Sequence, residues 1–394
     1  MISVKEAQDK VMKAVSVSKT EVRNVSDAGG FVLSKNIYSP LDLPPFDQSA
    51  MDGYAIIAKD VFAGNTISVF GESAAGKSYM KNISGGQAVR IFTGAEIPRG
   101  ADTVVVQEKV SLQKSSLTIG DENLRPGLNI RTRGSQIKKG ALALKKGTTL
   151  TPAAMGFIAS MGLNKVYVFK KPNVSIIVTG NELQKPGTKL SRGKIFESNA
   201  ITVETALRQT GVLVIKILFV GDDEKKIREA LKKSLRHSDF VLFTGGISVG
   251  DYDFVGTALK KEKVQEVFYK VKQKPGKPLF FGMKNKKYVF GLPGNPASVL
   301  TCLYGYVVPA IKKFSGHSNC FLNVICLPLS TNLQKKKGLT HFLKATTDFK
   351  TVISLDGQGS DIMRSYAESN CLIRFPEETE TMQEGEMADV ILLS

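Results

Sequence analysis

The sequence predicts a multidomain protein of class α/β plus β, built around a mostly parallel sheet. Three observations carry this. From Lys170-Lys171-Pro172 onward, short apolar runs alternate with loops and helical patterns, which is the signature of α/β winding. Residues 57–140 and 319–394 instead show short β-prone runs separated by Gly, Pro and Asp turns. And 394 residues exceed what one core usually organises, so about two to four domains are expected.

At the N-terminus, Ser3-Val4-Lys5-Glu6 has the form of a capping box. Val4, Ala7, Val11, Ala14 and Val15 recur at helical spacing, which predicts an amphipathic helix over residues 3–16. The stretch Leu43-Pro44-Pro45-Phe46-Asp47-Gln48-Ser49-Ala50-Met51-Asp52-Gly53-Tyr54-Ala55-Ile56 follows, with an extended entry fixed by its prolines. It reads either as a structural turn with an aspartate cap or as a functional loop; three polar side chains among large apolar ones suit the second. In the β-rich part, Ala88–Phe92 and Thr103–Val106 predict strands, and Thr93-Gly94-Ala95 opens a polar loop between them. Thr151, Pro152 and Gly162 bracket a short helix as cap, first-turn proline and terminal glycine.

The α/β part predicts strands at 174–178, 212–220, 240–243, 267–274 and 287–290, with helices at about 198–209, 223–236, 255–261 and 296–314. In the 267–274 strand, Lys270, Lys272 and Lys274 would share one face. Parallel strands end on one edge of their sheet, so Glu182, Asp222, Gly245, Gly246, Ser248, Asp251, Asp253 and the Leu292–Pro296 loop should converge there. Asp222 or Asp223 could also serve simply as a helix cap. Residues 319–394 predict β segments at 321–325, 355–360, 371–375 and 390–393, a small barrel-like domain.

Converging carboxylates repel unless a cation or hydrogen-bonding ligand offsets the cost, and hard oxygen donors suit Mg²⁺ rather than zinc. Glycine-rich turns can cradle phosphate with backbone amides, and Lys270, Lys274 and Lys277 add positive charge. The combination points to a phosphorylated or nucleotide-like ligand, with phosphoanhydride cleavage as its natural chemistry. The chain has no G-x-x-x-x-G-K-[ST] loop, no G-x-G-x-x-G after its first α/β strand and no G-x-S-x-G elbow. Three scattered histidines and four cysteines without a C-x-x-C pair argue against zinc, a disulfide framework and triad hydrolysis. A net charge of +18 fits an anionic partner, or equally a lysine bias spread over every segment. The composition, the absence of a signal-peptide pattern and the absence of a run of about 18 apolar residues predict a cytoplasmic protein with no membrane segment.

These motifs, taken in order, resemble the molybdopterin molybdenumtransferase (MoeA) family, which includes the gephyrin E domain. The carriers are residues 44–55, Thr93-Gly94-Ala95, Thr179–Leu183, Gly245–Gly250, Lys274–Pro278 and Leu292–Pro296. The resemblance implies an elongated linking domain (1–19, 38–46 and 139–170), a β-rich inserted domain (20–37 and 47–138), a three-layer α/β domain (171–318) and a C-terminal β-barrel (319–394). It implies insertion of molybdate into adenylylated molybdopterin with Mg²⁺, releasing AMP and forming molybdenum cofactor. Catalytic roles fall on Asp52, Glu182, Asp222 and Asp253, with Asp222 and Asp253 on the metal. Substrate contacts fall on Thr93, Gly245, Gly246, Ser248, Lys270, Lys274, Pro293, Pro296 and Ser360. The resemblance further implies a homodimer, in which Asp52 and Thr93 serve the other subunit's site, and a molybdopterin adenylyltransferase as upstream partner. A non-catalytic molybdopterin-binding scaffold is the alternative; a nucleic-acid partner is not expected, since no basic recognition element is present. Five positions depart from the family pattern: Ser135 and Gln136 replace an acidic pair, Asp251 and Phe254 stand where Glu and Tyr are common, and Lys344 stands where an arginine is usual.

Overall fold

The structure is a computed structural model describing residues 1–61, 66–247 and 254–393. It divides into two compact units: Met1–Ser34 with Gly147–Thr151 and Lys165–Ser394, and Lys35–Lys146 with Pro152–Asn164.

The larger unit holds a six-stranded sheet in the order 214–220, 173–179, 240–244, 287–292, 280–284, 265–269. Its first four strands are mutually parallel and the next pairings are antiparallel. The three inner parallel strands, 173–179, 240–244 and 287–292, are almost continuously apolar because both their faces are covered. On one face Ile176, Val178 and Leu242 meet Val203 and Leu207 of the helix Asn199–Gln209. On the other, Ile177, Val241 and Phe243 meet Ile227 and Leu231 of Glu224–His237 and Val255 and Leu259 of Phe254–Lys261. The N-terminal helix spans Val4–Ala14; Ser3 caps it by accepting from the Glu6 amide at 3.2 Å, and Val4, Ala7 and Val11 are its buried stripe. The expected 296–314 helix is present with an interruption: Leu303–Val307 forms a π-helical turn between Pro296–Cys302 and Val308–Phe314.

Two expectations are corrected here. The 267–274 stretch is not one strand. It ends at Tyr269, Lys270 adopts a left-handed backbone (φ 66°), and Gln273–Lys274 pairs with Thr340–His341 in a different sheet. Lys270, Lys272 and Lys274 therefore do not share a strand face. Residues 355–360 form no strand either; Lys344 collects their carbonyls onto its ammonium, as described below.

The C-terminal strands Val324–Pro328, Thr340–Thr347, Val352–Ser354, Cys371–Phe375 and Met387–Leu392 pair in the order 352–354, 340–347, 371–375, 387–392, 324–328. A bridge from Leu329 to Val352 returns the ladder to its first strand around a core of Leu327, Ala345, Ile373 and Val390. Thr20–Asn24 pairs with Lys165–Phe169, a ladder joining segments that the expected boundaries assign to different domains.

The smaller unit contains the expected β-rich sheet, in the order 103–106, 53–56, 87–91, 66–73, 116–119, 110–113. Gly53 in its second strand is required by close approach: a Cβ there would lie 1.8 Å from the Val105 carbonyl oxygen. The short helix Pro152–Ser160 belongs to this unit, with Ala154 and Ile158 buried.

Candidate active site

In the larger unit, register brings the strand ends together: Thr179 pairs with Val220, and Thr244 with both Val178 and Leu292. The loops carrying Glu182, Asp222, Gly245 and Pro293 consequently leave the sheet on one edge. Asp222 and Asn181 form a reciprocal clip. The Asn181 amide donates to Asp222 Oδ2 at 2.9 Å, and the Asp222 amide donates to Asn181 Oδ1 at 3.1 Å. The helix cap is Asp223, whose Oδ1 accepts from the Lys226 amide at 2.8 Å. Asp222 itself is therefore not the helix cap.

Two cavities occupy this edge. The first, about 340 Å³, is lined by Glu182, Gly245 and Pro296 together with Thr179, Asn199 and Thr244. The second, about 480 Å³, is lined by Lys274, Lys277, Pro293 and Ser360. Gly294 and Asn295 line both, so the cavities adjoin. Ser360 is fixed by Asn295, whose Nδ2 donates to its Oγ at 2.7 Å, and by the Ala297 amide, which donates to its carbonyl at 3.1 Å. Gly246 has φ 66°, and a Cβ there would meet Thr179 Oγ1 and the Val255 side chain, each at 2.7 Å. Lys270 lines neither cavity; its ammonium stands 5.1 Å over the Tyr269 ring, whose hydroxyl donates to the Ile247 carbonyl at 2.8 Å. Ser248, Asp251 and Asp253 lie outside the described residues.

Two supports were not legible as site residues. Gln273 is fully buried, and its Nε2 donates to the carbonyls of Pro275 at 3.0 Å and Gly276 at 3.3 Å while its Oε1 accepts from Tyr306. Tyr306 lies in the π-helical turn, so that irregularity anchors the Lys274–Pro278 loop. Lys344 is 1% exposed and donates to the carbonyls of Gly357, Gly359 and Ile362 at 2.6, 3.0 and 3.0 Å. Its three donors are spent shaping the loop that presents Ser360, a structural use of the charge that stands where the family's arginine is usual.

His341 stands in register with Lys274. Burial, then the charges of Lys274 and Lys335, push its pKa down to about 4. Between about pH 4 and 6.5 the unfolded chain therefore binds a proton that the folded one refuses, so stability falls as pH falls through that window. His341→Gln should flatten the pH dependence of urea unfolding there; an unchanged slope would remove His341 as its source.

In the smaller unit, Asp52 precedes the strand Gly53–Ile56 and Thr93 follows the adjacent Gln87–Ile91, so pairing of Gly53 with Ile91 sets them side by side. Asp52 Oδ1 accepts from the Thr93 amide at 2.7 Å and its hydroxyl at 2.8 Å. The amide, then the hydroxyl, hold this exposed carboxyl below its usual range. Ser135 and Gln136 are exposed.

Three family descriptions match successive parts of the chain: MoeA N-terminal region (domain I and II) over residues 2–162, probable molybdopterin binding domain over 175–313, and MoeA C-terminal region (domain IV) over 327–393. The molybdopterin molybdenumtransferase of Haemophilus influenzae is 34% identical over 398 residues, covering 99% of this chain and 98% of its own. The chain belongs to the MoeA family. The Staphylococcus epidermidis molybdopterin molybdenumtransferase is likewise 34% identical, over 99% of this chain and 95% of its own. A MoeA protein of Pyrococcus horikoshii superposes with a TM-score of 0.85 at 30% identity, covering 100% of both chains. Within this MoeA chain, eight described members of the expected set fall into three groups: Glu182, Gly245 and Pro296 on one cavity, Lys274, Pro293 and Ser360 on the next, and Asp52 with Thr93 in the other unit. Asp222, Gly246 and Lys270 lie on the neighbouring loops without lining either cavity.

Proposed function

We propose that this chain is a molybdopterin molybdenumtransferase that inserts molybdate into adenylylated molybdopterin, releasing AMP. The observation that carries the reading is the pair of adjoining cavities at the carboxyl ends of parallel strands. One offers the exposed ammonium groups of Lys274 and Lys277 to an oxyanion; the other offers carboxylate and amide groups to a larger polar substrate. Lys274 and Lys277 hold molybdate or phosphate, Ser360 and Pro293 shape that end, and the amides of Gly245 and Gly246 take phosphate oxygens. Glu182 and Asp222 are hard oxygen donors on adjacent strand ends, a donor set suited to Mg²⁺. The metal would be held by Asp222 with Asp253 and would supply charge neutralisation at the phosphoanhydride.

The reading extends to a cytoplasmic homodimer fed by a molybdopterin adenylyltransferase, with Asp52 and Thr93 of one subunit serving the other's cleft. It also takes in the four-domain organisation with its linking domain, inserted domain, three-layer α/β domain and C-terminal barrel. Subunit exchange between Asp52→Ala and Asp222→Ala proteins tests the shared site. Each variant alone should be inactive, and mixed dimers should regain AMP release. Mixtures that stay inactive while exchanging subunits would contradict it.

A further inference from the structure

Asp52 is held by more than the two bonds from Thr93. Its own carbonyl accepts from the Gln107 amide at 3.1 Å, and the next carbonyl, that of Gly53, accepts from Arg90 Nη1 at 3.3 Å. Arg90 Nη2 donates to Gln107 Oε1 at 2.5 Å, which closes a ring of bonds. The Gln107 side chain is oriented from its other end, where Nε2 donates to Glu108 at 3.3 Å. Two consecutive peptide carbonyls are thus tied to one guanidinium and its amide partner, while Asp52 Oδ1 takes both Thr93 bonds.

Strand pairing places the guanidinium. Arg90 is the register partner of Tyr54, which puts both side chains on one face of the sheet, and Phe92 follows two residues on. The guanidinium carbon lies 5.0 Å from the centre of each ring. Tyr54 is 7% exposed and so makes a fixed wall. A planar group on two rings, with two nitrogens aimed at two oxygens, has little freedom left. A lysine ammonium could neither stack in this way nor span both acceptors. The anchoring matters because Asp52 is exposed and precedes the strand Gly53–Ile56, so packing does not fix it. After the Thr93 amide and hydroxyl, the field of Arg90 adds to what keeps the Asp52 carboxyl ionised.

We infer that Arg90 is a positioning residue for the insertion reaction: through the Gly53 carbonyl and Gln107 it sets where the Asp52 carboxylate stands. It acts through Asp52, and its role therefore rests on the reading of Asp52 as a group of the insertion site.

Two readouts separate the Arg90–Asp52 link from that reading. In protein isotopically labelled at its aspartate carboxyls, the NMR resonance missing from Asp52→Asn identifies Asp52. Arg90→Met should move its titration to higher pH, because a neighbouring cation is lost, and Arg90→Lys should leave it near the parent's. In AMP release, both Arg90 variants should lower kcat by about tenfold or more, with the KM for molybdate unchanged. Gln107→Ala, at an exposed position beyond the strand Thr103–Val106, removes the second acceptor alone. It should lower kcat less, and should add nothing further when combined with Arg90→Met. An Asp52 titration that does not move in Arg90→Met, or an Arg90→Met protein with the parent's kcat, would overturn the positioning role. Losses in Arg90→Met and Gln107→Ala that simply add would overturn it too, as the mark of two independent structural effects. Full activity in Asp52→Asn, with the titration shift of Arg90→Met still present, would instead overturn the assignment of Asp52 to the site, and the part of Arg90 in the reaction with it.

Discussion

Lys344→Met should lower the stability of the larger unit by about 3–5 kcal/mol, because it strands three carbonyls that a single buried ammonium now satisfies. Urea unfolding would show the loss as a lower midpoint with an unchanged slope. The loop carrying Ser360 should lose its shape, so any protein that remains folded should need far more molybdate to reach half its maximal rate. Lys344→Arg keeps the charge but offers a planar fork where three carbonyls converge on a point, and should recover only part of the stability. A methionine variant as stable and as active as the parent would refute the structural use of this lysine.

Gly53→Ala carries the other large effect. The added methyl would sit 1.8 Å from the Val105 oxygen, in a strand paired on both sides with Gln87–Ile91 and Thr103–Val106. Separation of two central strands is the available relief, at a cost of about 3 kcal/mol or more. Asp52 is the preceding residue, so its bond to Thr93 should be disturbed and activity lost even at temperatures where the sheet survives. Thermal unfolding and activity measured on one preparation would separate the two losses.

Why some features were legible and others hidden follows from how far their causes lie along the chain. Val174–Val178, interrupted only by Ser175, and Phe240–Phe243 announce buried parallel strands through their apolar runs, and the residues just beyond them were placeable on one sheet edge from topology alone. Asp52 and Thr93 were marked by unusual local polarity, although their mutual bond depends on strand pairing. The alternation of 267–274 continues through Lys270 in sequence while the backbone does not, because a left-handed residue there diverts the chain into another sheet. Residues 355–360 resemble a strand until Lys344, remote in sequence, claims their carbonyls. Asn199, Gln273 and Tyr306 left no local mark, since their roles arise where distant loops pack; the Glu197-Ser198-Asn199 triple at a helix start was the nearest available signal.

AMP release from adenylylated molybdopterin, followed as molybdate is titrated in the presence of Mg²⁺, bears on the cleft as a whole. The rate should rise with molybdate and saturate. It should be lost in Asp222→Asn, and it should require much higher molybdate in Lys274→Ala. Release that ignores molybdate, or that survives both substitutions unchanged, would contradict the assignment of this cleft to molybdenum insertion.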